Sequence, residues 1–153
     1  MADANFLDNF GEEHYFKFNY YNDDRKIEAD GLKISFSKNT HNILSFAIKL
    51  ESKEGTVVYS GDTGFKHNTL TAFAKNADLL ICESTFLRGQ LRAKDEHLYA
   101  YEAAEIAKTA NVKQLMLTHF WPEIDKSVYL KEAKEVFDNT IVAEEGKQLV
   151  LKR

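Results

Sequence analysis

Val57-Val58-Tyr59-Ser60-Gly61-Asp62-Thr63-Gly64 is a β-branched run that ends in an aspartate flanked by glycines. The run has strand character, and glycine allows both a sharp turn and the close approach of a ligand. Working outward, Leu70, Phe73, Ala74 and Ala77 recur at helical spacing, and an apolar strand from Asp78 to Glu83 follows. A strand, an aspartate turn, a helix and a second strand place the Asp62 carboxylate at the carboxyl end of a strand. Open α/β sheets put their sites there. A β-turn in which Asp62 caps the next helix explains the pentapeptide Ser60 to Gly64 without any chemistry.

The alternation repeats downstream. Tyr99 to Ala110 is an alanine-rich helix with Ala100, Ala103, Ala104 and Ala107 on one close-packing face, and Gln114 to Thr118 is a buried strand. A helix spans about Ser127 to Phe137, and Thr140 to Ala143 pairs with Lys147 to Leu151 as strands across Glu145-Gly146. Upstream, His14 to Tyr20 and Leu32 to Ser37 alternate as strands with an Asp30-Gly31 turn signal before the second, and Ile43 to Leu50 is a further strand. Strands first and strand–helix pairs later predict an α/β fold, a mixed sheet with helices packed on it. The 153 residues contain no repeat, low-complexity stretch or proline-rich linker, so residues 1–153 read as a single domain.

Composition removes several function classes. Hydrophobic residues at 44% and charged residues at 29% describe a folded chain. A net charge of −4 without a Lys/Arg cluster argues against strong nonspecific nucleic-acid binding. No apolar run reaches the roughly 18 to 20 residues that span a bilayer, and the start has no signal-peptide pattern, so the expected location is cytoplasmic. The lone Cys82 lies inside Leu79-Leu80-Ile81-Cys82 and is expected to be a buried strand residue, not a reactive thiol.

Two histidines repeat the placement of Asp62. Leu115-Met116-Leu117-Thr118 delivers His119 at the end of an apolar strand, with Trp121-Pro122 stopping the chain soon after, and His41 lies between two strands. Taken singly, each is as well explained as a structural or solvated turn histidine. Taken together, an imidazole, a carboxylate and a second imidazole at three strand ends match the preferences of a borderline metal such as Zn²⁺.

The stretches His41 to Ile48, Val57 to Gly64, Ala77 to Phe86, His97 with the alanine-rich helix, and Leu117-Thr118-His119 resemble, in this order, the C-terminal half of metallo-β-lactamase-fold hydrolases, and are most similar to the ribonuclease Z-like branch. The resemblance implies half of an αββα sandwich. It implies a zinc-dependent hydrolase, with manganese as the other metal, acting on a phosphoester or related ester through a hydroxide held by two metal ions. Asp62 would bridge the ions, with His41 on the first and His119 on the second. His97 would act near the scissile phosphate, although a solvent-facing place at the start of the helix suits it equally, and Glu83 could orient it from behind, although a surface or helix-capping role suits Glu83 as well.

The family's H-x-H-x-D-H motif does not occur in these residues, and neither His14 nor His67 has a histidine two positions away. The N-terminal half that carries the motif is expected to be absent, leaving the isolated chain short of the three protein ligands usual for catalytic zinc and inactive alone. Two other readings remain. One is a non-catalytic binding module that self-associates through an exposed apolar sheet face, giving a homo-oligomer; the other is a plain α/β domain whose His and Asp residues only cap and turn. The expected partners of the hydrolase are small-molecule or nucleotide-type esters, with no membrane.

Overall fold

Asp30 and Gly31 both take positive φ, 49° and 79°, the backbone of a two-residue type I′ hairpin turn. The turn joins β1 (Lys26–Ala29) to β2 (Leu32–Lys38), with Ala29 opposite Leu32. The computed structural model describes residues 20–67 and 69–151. The strand expected from His14 lies outside them, except for Tyr20, which is not in a strand.

The remaining elements are β3 (Phe46–Glu51), β4 (Thr56–Tyr59), α1 (Leu70–Phe73), β5 (Leu79–Glu83), α2 (Ala100–Thr109), β6 (Gln114–Thr118), α3 (Lys126–Lys134) and β7 (Thr140–Val142). They form one seven-stranded sheet in sequence order, antiparallel from β1 to β4 and parallel from β4 to β7. Parallel neighbours need a crossover, and α1, α2 and α3 supply the three in turn. Crossovers of one hand between successive neighbours bring all three helices to the same face. The expected mixed α/β sheet with helices packed on it is the observed one, and the helices share one face.

Register decides what each face carries. Val58, Leu80 and Leu115 stand side by side, as do Cys82 and Leu117, and all five are buried against Leu70, Ala103, Ala104, Ala107, Tyr129 and Ala133 of the helices. The alanines let α2 approach closely, and each fully buried leucine contributes about 1.5–3 kcal/mol. On the other face Ile48, Tyr59, Ile81, Met116 and Ile141 form an unbroken row across five strands. Among the described residues no helix covers this row, and Tyr59 is 44% exposed.

Two expected boundaries are corrected. The strand expected from Ile43 begins at Phe46, with Ile43 71% and Leu44 67% exposed. Residues 41–45 turn the chain instead, closed by Asn39 N–H to Ser45 O at 3.0 Å. Lys147 to Leu151 is not a strand. The turn at Gly146 forms, with φ 74°, but three-residue β7 offers too short a ladder to template a partner. The chain leaves it, and Leu151 ends beside Gly55 in the β3–β4 turn.

Candidate metal centre

The Ser60–Gly64 segment leaves β4 through backbone that only glycine fits. Gly61 has φ 60°, and a Cβ there would lie 2.8 Å from the Phe46 carbonyl oxygen and 3.1 Å from Ser45 Oγ. A Cβ on Gly64 would lie 2.0 Å from the Asp95 carbonyl oxygen. The Asp62 carbonyl accepts from Ser45 Oγ at 2.8 Å and Asn39 Nδ2 at 3.1 Å, and Asn39 Nδ2 also reaches Ser60 O at 2.6 Å. The backbone is thus held from behind while the carboxylate, 40% exposed, points outward. Asp62 caps no helix, because α1 begins after Thr69.

Glu83 ends β5 and is 1% exposed. Its Oε1 accepts from Thr63 N–H at 2.8 Å and His97 Nδ1 at 3.0 Å, and its Oε2 from Thr85 Oγ1 at 2.9 Å and Leu98 N–H at 3.1 Å. A buried carboxylate is costly unless its oxygens are hydrogen-bonded, and here both are. The surface role open in the sequence is excluded. Nearby, burial first and the charges of Asp62 and Glu83 next raise the Tyr59 phenol pKa above its ordinary value. Burial, followed by the Glu83 charge, raises the Cys82 thiol likewise, in keeping with an inert strand residue.

The histidines close on this frame. His119 has φ 62°, a left-handed conformation that costs a non-glycine residue on the order of 1–3 kcal/mol. Its Nε2 lies 3.8 Å from Asp62 Oδ1, and its Nδ1 lies 2.8 Å from Thr85 Oγ1. The His97 ring stands 5.1 Å from that of His41 and 5.3 Å from that of His119, centroid to centroid. His41 Nδ1 faces both the N–H and the carbonyl of Ile43, at 3.2 and 3.3 Å. His41 Nε2 is buried and has no hydrogen-bond partner.

Ligand atoms of His41, Asp62 and His97 all lie within 4.8 Å of one another, and so do those of Glu83, His97 and His119. The sequence-named residues His41, Asp62, His97 and His119 therefore meet in one cluster at the strand ends. His67 stands apart, lining a cavity of about 500 Å³ with Phe65 and Glu105, and His14 lies outside the described residues. A buried imidazole nitrogen without a partner, beside a carboxylate and further imidazoles, fits a metal ion. Donors of these types are the ones zinc takes. Sequence reading missed Asn39 and Ser45, which hold the Asp62 loop, and Thr85. For Thr85 a signal existed: it follows Glu83 by two residues.

The chain matches the family described as "Beta-lactamase superfamily domain" over residues 24–120. It is 34% identical over 128 residues to the probable metallo-hydrolase YhfI of Bacillus subtilis, a match covering 82% of this chain and 52% of YhfI. It is 45% identical over 83 residues to a ribonuclease Z of Clostridioides difficile, covering 52% of this chain and 27% of that protein. The crystal structure of the metallo-β-lactamase fold protein YhfI superposes with a TM-score of 0.85 at 30% identity, covering 95% of this chain and 61% of that one. The chain spans about half the length of YhfI, or 52%, and less of the ribonuclease Z.

Proposed function

The chain belongs to the β-lactamase superfamily domain family, and from that membership we propose that it forms part of a metal-dependent hydrolase acting on a phosphoester or related ester. His41, Asp62 and His119 would hold the zinc ions. The remaining ligands would come from an H-x-H-x-D-H segment, of which residues 1–153 contain none. These residues then make one domain that carries the C-terminal share of the site, too few ligands to turn over substrate alone. The observation that carries the reading is the buried, partnerless Nε2 of His41 in the cluster with Asp62 and His97.

Two bound divalent ions supply a lowered water pKa and a clamp on the attacking and leaving oxygens. The chain's own residues do the rest. Ser45 and Asn39 fasten the Asp62 backbone and so set where its carboxylate leaves the chain. His97 is oriented by Nδ1 on Glu83, so it exchanges a proton with a leaving oxygen through Nε2. The likeness to a protein named ribonuclease Z supports phosphoesters as the substrate class. The test is phosphodiesterase turnover by the full-length protein on bis(p-nitrophenyl) phosphate with Zn²⁺ or Mn²⁺. Metal-dependent turnover that Asp62→Ala abolishes is expected; no turnover on any ester, or an unaffected Asp62→Ala variant, would contradict the proposal.

A second reading has its own observation, the apolar row Ile48, Tyr59, Ile81, Met116 and Ile141. An apolar face of this kind seeks cover, and self-association through it would make the isolated chain a homo-oligomer. Sedimentation of the isolated chain separates the cases: a dimer supports this reading and a stable monomer opposes it. Among the described residues no helix is long and apolar enough to cross a membrane.

A further inference from the structure

The hydroxyl of Thr85 touches both the carboxylate hub and one of the candidate metal ligands. Its Oγ1 donates to Glu83 Oε2 at 2.9 Å and lies 2.8 Å from His119 Nδ1. A hydroxyl has one proton to give. Glu83 already meets an obligate backbone donor on each oxygen, Thr63 N–H on Oε1 and Leu98 N–H on Oε2. With donors converging on both oxygens, Glu83 acts as an acceptor and takes the Thr85 proton. What Thr85 then offers His119 is a lone pair. The proton between them must sit on His119 Nδ1, and in a neutral ring the Nε2 lone pair is left free. That Nε2 is the atom 3.8 Å from Asp62 Oδ1.

We infer that Thr85 is a positioning residue that fixes His119 as its Nδ1–H tautomer and so holds Nε2 ready to ligate a cation. The hydrogen bond made by one ring nitrogen decides which form the other takes, and partners behind a ligating histidine tune its affinity for metal. Thr85 is itself well held. It is 6% exposed, and its carbonyl accepts from the Tyr129 hydroxyl at 3.4 Å, which in turn accepts from Trp121 N–H at 3.4 Å. Tyr129 thus braces the end of β5 against the turn that follows His119. Glu83 governs two rings at once, His97 directly and His119 through Thr85. The inference rests on the proposed function only for the use made of the lone pair, because the tautomer is a property of the metal-free protein.

The experiment is a two-bond ¹H–¹⁵N histidine correlation on the metal-free, full-length protein at a pH where the ring is neutral. It is repeated for Thr85→Ser and Thr85→Val, with zinc affinity measured by competition against a chromophoric chelator. The wild type and Thr85→Ser should both show the Nδ1–H pattern for His119. Thr85→Val should move it toward Nε2–H and weaken zinc binding by about 10- to 100-fold. An Nε2–H pattern in the wild type overturns the inference whether or not Thr85→Val folds, and so does an unchanged tautomer in a folded Thr85→Val. Should the tautomer respond as stated while no zinc binds, the inference stands and the proposed function falls.

Discussion

Replacing Glu83 by glutamine changes almost nothing in shape and a great deal in hydrogen bonding. Each carboxylate oxygen accepts one backbone N–H and one side-chain donor, Thr63 N and His97 on Oε1, Leu98 N and Thr85 on Oε2. Whichever way the amide turns, its NH₂ confronts one of those backbone N–H groups, which cannot change role as a hydroxyl or imidazole can. One buried donor left without an acceptor costs about 1–3 kcal/mol. The two bonds kept on the amide oxygen also pass from charge-assisted to neutral, roughly 1 kcal/mol more for each. Glu83→Gln should therefore destabilise the fold by about 3–5 kcal/mol, read from urea unfolding with an unchanged slope. The exposed Glu105→Gln is the control, expected within about 0.5 kcal/mol of wild type. A Glu83→Gln loss no larger than that of the control would refute the account of Glu83 as an all-acceptor hub.

Gly64→Ala places a methyl 2.0 Å from the Asp95 carbonyl oxygen, so both backbones must move; a loss of about 1–3 kcal/mol by thermal or urea unfolding is expected, with weakened metal binding because the Asp62 loop shifts too. Cys82 gives a pH signature. Burial, then the Glu83 charge, raises its folded pKa, while an unfolded thiol ionises near about 8.5. The native state therefore binds more protons above that pH, and this contribution to stability, complete below it, declines as pH rises, by at most roughly 1.4 kcal/mol per unit. Comparing unfolding free energies at neutral and alkaline pH, Cys82→Ala should show a shallower decline than wild type. The same thiol should react with a disulfide reagent only as fast as the protein unfolds.

The parts of the site legible in the sequence are those whose cause is local. Gly61 and Gly64 announce themselves because a Cβ on either would strike neighbouring backbone, and Asp30-Gly31 because the hairpin turn requires positive φ at both positions. The strand ends at Asp62 and His119 follow from apolar runs that stop. Glu83 was legible only in part. Its partners Thr63, Thr85, His97 and Leu98 come from loops joined by tertiary contact, so spacing shows at most the Thr85 neighbour. Asn39 and Ser45 are small polar residues in a turn until the fold carries them under the Asp62 backbone. Ile43 and Leu44 look like strand because apolar residues usually do, yet the turn around His41 leaves them exposed. Lys147 to Leu151 has strand composition, and what it lacks is an edge long enough to join.

In the proposed function, imidazole, carboxylate and imidazole from separate strand ends serve one metal cluster. Crystals of the full-length protein grown with zinc, with anomalous data collected on both sides of the zinc edge, test it directly. A peak is expected within about 2.0–2.2 Å of both His119 Nε2 and an Asp62 carboxylate oxygen, with a companion peak at His41 Nε2. Zinc bound at full occupancy elsewhere, touching none of the three, would contradict it.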